Sequence, residues 1–148
     1  MANPKLDPEI KSNSIDILCE KLLKKTDLGH QFIAPSDLLK KPEVFYETGK
    51  LKEKITSFDQ DGKEWTFRLS IRKTEKYPKP TLTPASWHPF VKHFGLRGGD
   101  AVIFYVIRND GARKIQIRGL RKIIFLGKPT WEEVKKVENQ ASTSHYRV

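Results

Sequence analysis

The most regular pattern of the chain lies between Glu64 and Arg72, where apolar and polar residues alternate without a fault. Such alternation is typical of a β-strand with one buried and one exposed face. The exposed face carries Arg68 and Arg72, so this strand is basic on its outer side. The preceding segment, 59–62, has turn chemistry, and 51–58 before it predicts the partner strand of a hairpin.

A helical period follows. Thr83 with Pro84 predicts a helix start, and from Trp87 onward apolar residues recur at positions i, i+3, i+4 and i+7. Gly95 stands where a left-handed C-terminal cap is needed. The segment 84–94 therefore predicts an amphipathic helix.

The second half of the chain predicts further strands. Residues 101–107 are apolar on both faces, as in a central strand. Residues 109–111 are a hairpin signal, 113–118 alternate as the return strand, and 122–126 predict a last strand. A short helix is expected around 131–137.

The first forty residues are less regular. Residues 7–18 predict a short helix with an aspartate cap, and 18–25 fit either its last turns or a first strand. Residues 32–34 predict a short strand, and 35–40 predict a helical turn. Several short strands with a few short helices predict a small, mostly antiparallel barrel.

Composition narrows the class of partner. The chain has 148 residues, the size of one domain, and its 28 Lys and Arg against 18 Asp and Glu give a formal charge of +10. Such a surplus favours polyanions, first nucleic acid and second an anionic membrane surface. Cys19 is alone, which excludes an intramolecular disulfide and a thiolate zinc cluster. The longest apolar run is too short to span a bilayer, so a soluble intracellular protein is expected.

A cationic loop follows the alternating strand. Five cationic side chains lie between Arg68 and Lys79 against a single acid, and Pro78 and Pro80 prevent the segment from continuing a central strand. A merely solvated surface is the alternative interpretation. The bracing of the loop by a regular strand favours a binding role.

Motifs for catalysis or metal binding are weak. His88 and His93 are five residues apart, a poor spacing for ligands on one helical face. The Asp59-x-Asp-Gly sequence resembles the start of a calcium loop, but Ser70 occupies the twelfth position, where a glutamate is needed. We therefore expect no metal, no cofactor and no catalytic site.

In order and spacing, three motifs resemble the plant B3 DNA-binding domain of auxin-response-factor-like transcription factors. They are Asp-Gly-Lys-x-Trp at 61–65, Trp-x-x-Phe-Val at 87–91 and Gly-Asp at 99–100. The segments 22–28 and 32–35 extend the likeness, which covers roughly residues 20 to 120.

The resemblance implies a mainly β fold, an open seven-stranded β-barrel with two or more short α-helices. It divides the chain into an N-terminal extension at 1–18, which fits a helix, a B3-like domain at 19–126, and a C-terminal short helix with a flexible tail at 127–148. It also implies a nuclear plant transcriptional regulator without enzymatic activity, whose partner is double-stranded DNA.

Two arms that grip the DNA major groove are implied as well, one after the first strand and one after the tryptophan strand. Residues that match the first arm are Lys25, Thr26, Asp27, Gly29, His30 and Gln31. Residues that match the second arm and its supporting strand are Arg68, Ser70, Arg72, Lys73, Thr74, Lys76, Tyr77 and Lys79. Arg72 is the first candidate for base contact, since its fork fits guanine, and the lysines suit phosphate.

The chain departs from the family pattern in places. Ser86 replaces the usual glycine before the helix tryptophan, Gln31 replaces an arginine, and the second arm is longer and contains prolines. Two alternatives stay open: the recognition domain of a nuclease-type system, and a protein or RNA interaction module that has lost specific DNA readout.

Overall fold

The structure, a computed structural model, describes residues 14–72, 79–109 and 112–138. Within these ranges it has eight strands: β1 (Ser14–Leu22), β2 (Phe32–Ile33), β3 (Lys54–Phe58), β4 (Glu64–Arg72), β5 (Lys79–Leu82), β6 (Ala101–Asn109), β7 (Ala112–Phe125) and β8 (Lys128–Glu133). The helices are α1 (Lys25–Gly29), α2 (Pro84–Phe94) and two 3-10 helices at Ser36–Lys40 and Pro42–Val44.

The strands form one curled sheet in the order β1-β6-β7-β3-β4-β5-β2, and β8 pairs with the second half of β7. All pairs are antiparallel except β3 with β7. The sheet is an open half-barrel, so the predicted fold class is confirmed; β8 is one strand more than the seven implied by the family.

The core is built from aromatic rings that the sheet and α2 share. Trp87, Phe90 and Phe94 on α2 are buried, as their helical spacing predicts. Trp87 packs against Phe32 of β2 and Phe67 of β4, with ring centroids 4.7 and 6.0 Å apart. The helix thus fills the opening of the barrel and fixes the position of the strands that carry the predicted arms.

The hairpin between β3 and β4 depends on the buried carboxylate of Asp59. One of its oxygens accepts the backbone N–H groups of Asp61 (2.8 Å) and Lys63 (3.0 Å), and the other accepts Trp65 Nε1 (2.8 Å). Gly62 takes a positive φ of 80° in this turn. The Asp-Gly-Lys-x-Trp motif is therefore a turn and core motif, as predicted, and not a calcium site.

The end of α2 agrees with the sequence as well. Gly95 takes the left-handed conformation, φ 59° and ψ 39°, and its N–H donates to the carbonyls of Val91 and Lys92. Asp100 follows in the turn to β6, where its buried carboxylate accepts the N–H of Arg97 and pairs with Arg121. The Gly-Asp motif thus closes the loop between the helix and the central strand.

The N-terminal helix predicted for 7–18 is wrong where the structure describes it, because Ser14–Leu22 is a strand. A β-bulge between Ile17 and Cys19 shifts the register with β6. Leu18 and Cys19 are therefore both buried, which interrupts the alternation that identifies a strand. Part of the pattern consequently resembled a helix.

The short helix expected around 131–137 is also wrong. Residues Lys128–Glu133 are β8, which pairs with Leu120–Phe125. The strands predicted at 113–118 and 122–126 are one continuous strand, β7, of 14 residues. Because β7 extends past the end of β6, its free edge offers a partner that outweighs the local preference of the last segment.

Several predicted features lie outside the described residues. These are the first part of the predicted helix at 7–13, the turn residues Asp110 and Gly111, the tail 139–148, and most of the second arm at 73–78. Within the described ranges, no helix is long and apolar enough to cross a bilayer.

The single cysteine is expected to be chemically inert. Cys19 is 6% exposed, and burial raises the pKa of its thiol to about 12. Since the thiolate is the reactive form, Ellman's reagent at pH 8 should label none of the native protein within an hour and one thiol per chain in denaturant. Rapid labelling of the folded protein would contradict the packing of β1.

Candidate nucleic-acid interface

The two predicted arms flank the short strand β5. Its last residue, Leu82, pairs with Phe32 directly after the first arm, and its first residue, Lys79, pairs with Arg72 at the base of the second arm. Three residue steps of about 3.3 Å separate these ends, so the arms leave the sheet about 10 Å apart. The major groove of B-DNA is about 12 Å wide. The spacing suits two arms that enter one groove.

The first arm contains a short helix rather than an extended loop. Most of its predicted contact residues, Lys25, Thr26, Gly29 and His30, are exposed, whereas Gln31 is half-buried. Together they offer an ammonium group, a hydroxyl, an imidazole and an amide, with a glycine that allows close backbone approach. This set is suited to hydrogen bonds with base edges and phosphates.

Asp27 lies inside the first arm, and its side chain is fully buried. Its carboxylate accepts Lys21 Nζ (2.8 Å), the N–H of Lys24 (2.9 Å) and the N–H of Ile33 (3.3 Å). The predicted contact of its side chain with DNA is therefore corrected to a supporting role. A buried carboxylate with three donors fixes the arm and has no face left for solvent.

Lys21 also closes the barrel, a role that the sequence analysis missed. Its Nζ donates to the carbonyl of Ile33 (2.6 Å) as well as to Asp27. Lys21 belongs to β1 and Ile33 to β2, the two ends of the strand order. One side chain therefore joins the ends of the open sheet where the first arm begins.

Helix α2 supports the first arm from below. Trp87 Nε1 donates to the carbonyl of Asp27 (2.7 Å), and His88 Nε2 lies 2.7 Å from the carbonyl of His30, to which it donates. The sequence analysis had treated His88 as a surface residue. Its position directly after the buried tryptophan was the available signal.

The floor between the arms is the outer face of β4. Arg68 and Ser70 are exposed there, while Phe67 and Leu69 point into the core, as the alternation predicts. Ser86 Oγ accepts the backbone N–H of Arg68 (2.9 Å), so the serine that replaces the usual family glycine ties α2 to this strand. Arg68 and Ser70 are thus held on a rigid element.

The second arm is described only at its base. The backbone of Arg72 pairs with that of Lys79, which is half-buried at the start of β5. The remaining predicted contact residues lie outside the described residues: Lys73, Thr74, Lys76 and Tyr77. In the described part of the chain, no three His, Cys, Asp or Glu side chains lie close enough to hold a metal ion.

Comparison with known proteins identifies the class. The family model of the B3 DNA binding domain matches residues 19–123. The chain therefore belongs to the B3 DNA-binding domain family, which confirms the resemblance drawn from its motifs.

Individual relatives agree with this assignment. Auxin response factor 10 of Oryza sativa, in both subspecies indica and japonica, is 34% identical over 70 residues, which are 47% of this chain and 9% of the relative. The matched part is thus less than a tenth of the length of these curated relatives.

Two solved structures share the fold. The Arabidopsis FUS3–DNA complex superposes with a TM-score of 0.56 at 24% identity and covers 70% of this chain and 96% of that one. The Arabidopsis thaliana LEC2–DNA complex superposes with a TM-score of 0.52 at 21% identity and covers 71% and 95%. At these identities the likeness is one of fold.

Proposed function

We propose that this chain binds double-stranded DNA sequence-specifically, with both arms in one major groove, as the DNA-binding part of a nuclear, non-enzymatic plant transcriptional regulator. The observation that carries the proposal is the placement of the arms about 10 Å apart, on either side of the exposed Arg68 and Ser70. The names of the FUS3 and LEC2 structures, both DNA complexes, support the same partner.

Roles follow from side-chain chemistry. In the first arm, His30 and Gln31 contact base edges, while Lys25, Thr26 and the backbone at Gly29 contact the phosphate-sugar backbone. Asp27 positions this arm without touching DNA.

In the second arm and its supporting strand, the planar guanidinium of Arg72 reads guanine O6 and N7, a fork that lysine cannot match. Arg68, Ser70 and the remaining arm residues orient the duplex through its backbone: Lys73, Thr74, Lys76, Tyr77 and Lys79. With about six phosphates neutralised, log K should fall with log salt at a slope near five.

Selection of bound duplexes from a random pool, at stated salt, tests the function. The proposal predicts enrichment of one sequence pattern and binding to that duplex well above binding to a scrambled one. Recovery of no pattern, with equal affinity for all duplexes, would support a module that has lost specific readout.

Single substitutions separate reading from positioning. Arg72→Ala should remove about 1–3 kcal/mol of discrimination at one base pair, because the guanine fork is lost. Lys76→Ala should weaken binding to selected and scrambled duplexes alike and lower the salt slope by about one. Lys92→Ala, an exposed lysine late in α2, is the matched control and should change neither. Parental behaviour of both arm variants in anisotropy titrations would contradict the roles.

A further inference from the structure

A basic groove lies beside the proposed DNA site, at the seam where β3 meets β7. It has a volume of about 460 Å³, and its cations are Lys52, Lys54, Arg113 and Lys114. The strands β3 and β7 pair only at Ser57–Ile115 and Phe58–Gln116. The earlier parts of both strands therefore separate and leave the groove between them.

The groove opens at the same end of the barrel as the second arm. Lys54 at the start of β3 pairs with Arg68 of β4, four residues before the arm begins at Arg72. Because β7 runs parallel to β3, its first residues also lie at this end. The outer surface thus continues from Arg68 across Lys54 to Lys114.

Charges in the groove are not balanced. Arg113 is neutralised by an ion pair with Glu43, as Arg108 on β6 is by Asp16. Within the described ranges, Lys52, Lys54 and Lys114 have no such carboxylate partner. Lys54 also stands directly opposite Arg68, and like charges in such a cross-strand pair destabilise a sheet. An anion at this place would relieve the repulsion.

Two aromatic rings hold the lysines in place. Lys52 Nζ lies 5.8 Å from the ring centroid of Tyr46, and Lys114 Nζ lies 5.3 Å from that of Phe58. Both rings line the groove. Since cation–π contacts restrict the ammonium groups before any ligand arrives, less side-chain entropy is lost when they bind.

We infer that this groove binds backbone phosphates of the duplex outside the segment gripped by the arms. The inference rests on the proposed function and extends it. Two strand spacings of about 4.8 Å separate β5 from β3. The groove therefore meets DNA about three base pairs, of about 3.4 Å each, beyond the arm site. Binding then requires flanking base pairs whose sequence is not read.

Two duplexes and one triple variant test the inference. Both duplexes carry the selected site; the short one ends one base pair beyond it, and the long one has ten further base pairs on each side. For K52A/K54A/K114A, affinity for the long duplex should fall about ten- to hundredfold at 0.15 M salt, with a salt slope lower by about 2.7. Affinity for the short duplex should change less than twofold.

Matched variants separate this site from a general loss of charge. K92A/K135A/K136A removes the same charge near the C-terminal end of α2, where Val137 N–H donates to the His93 carbonyl, and should bind both duplexes like the parent. K52R/K54R/K114R should keep the parental slope. All variants should melt within about 2 °C of the parent, since the replaced side chains lie on the surface.

Each outcome decides between the two claims. Equal weakening of the short and long duplexes, the same loss in the control triple variant, or no loss at all would overturn the groove while leaving the arms intact. If the parent binds neither duplex above a scrambled sequence, the proposed function fails and the groove assignment fails with it.

Discussion

Replacing Asp27 with alanine should lower the free energy of unfolding by about 3–5 kcal/mol. Removal of the carboxylate leaves the ammonium group of Lys21 without its anionic partner and two backbone N–H groups, of Lys24 and Ile33, without an acceptor. Domains of this size are stable by only about 5–15 kcal/mol. Chemical denaturation with a fluorescence readout measures the change.

An exposed acid offers the matched control. Asp37 pairs with Lys40 at 3.6 Å, and both side chains are more than three-quarters exposed, at 77% and 81%. Because solvent screens such pairs, Asp37→Ala should cost less than about 0.5 kcal/mol. Equal costs for the two substitutions would show that Asp27 does not hold the first arm. At temperatures where Asp27→Ala remains folded, we also expect weaker DNA binding.

Replacing Trp87 with alanine should cost about 3–5 kcal/mol, or more where the core cannot collapse. The indole is fully buried, stacks on Phe90 at 5.6 Å and packs on Phe32 and Phe67. Its loss creates a cavity at the centre of the barrel and leaves the carbonyl of Asp27 without its donor. Thermal and denaturant unfolding should show the same loss.

Trp87→Phe separates the two contributions. The phenyl ring keeps most of the packing and removes the hydrogen bond to the first arm, so the expected cost is about 1–3 kcal/mol. The same change at Trp131, which is half-buried on the outer face of β8, should cost less. A Trp87→Phe protein as stable as the parent would contradict the link between α2 and the arm.

Local patterns predicted β4 and α2 because the residues that start, shape and end these elements are neighbours in sequence. The turn at Asp59, the N-terminal Pro84 and the C-terminal Gly95 all stand within one or two residues of the element they bound. Alternation then assigned Arg68 and Ser70 to the outer face. Half of the candidate site therefore followed from periodicity alone, before the family resemblance was considered.

The misses depend on partners that are distant in sequence. The bulge of β1 is defined against β6, more than 80 residues away, and β8 forms because β7 outruns its other neighbour. Asp27 looked like a polar contact residue because its donors lie on β1 and β2 and meet only in the folded barrel.

The groove had no sequence signal for the same reason. Lys54 and Lys114 are 60 residues apart, and only the parallel pairing of β3 with β7 brings them together. A basic composition predicted a polyanion partner without indicating which cations share a surface.

The most direct test of the account is an NMR titration of the labelled chain with its selected duplex. The account predicts that the largest amide shift changes fall at residues 25–31 and 72–79 and along the outer face of β4. Changes confined to other surfaces, with both arms unperturbed while the duplex is bound, would contradict it.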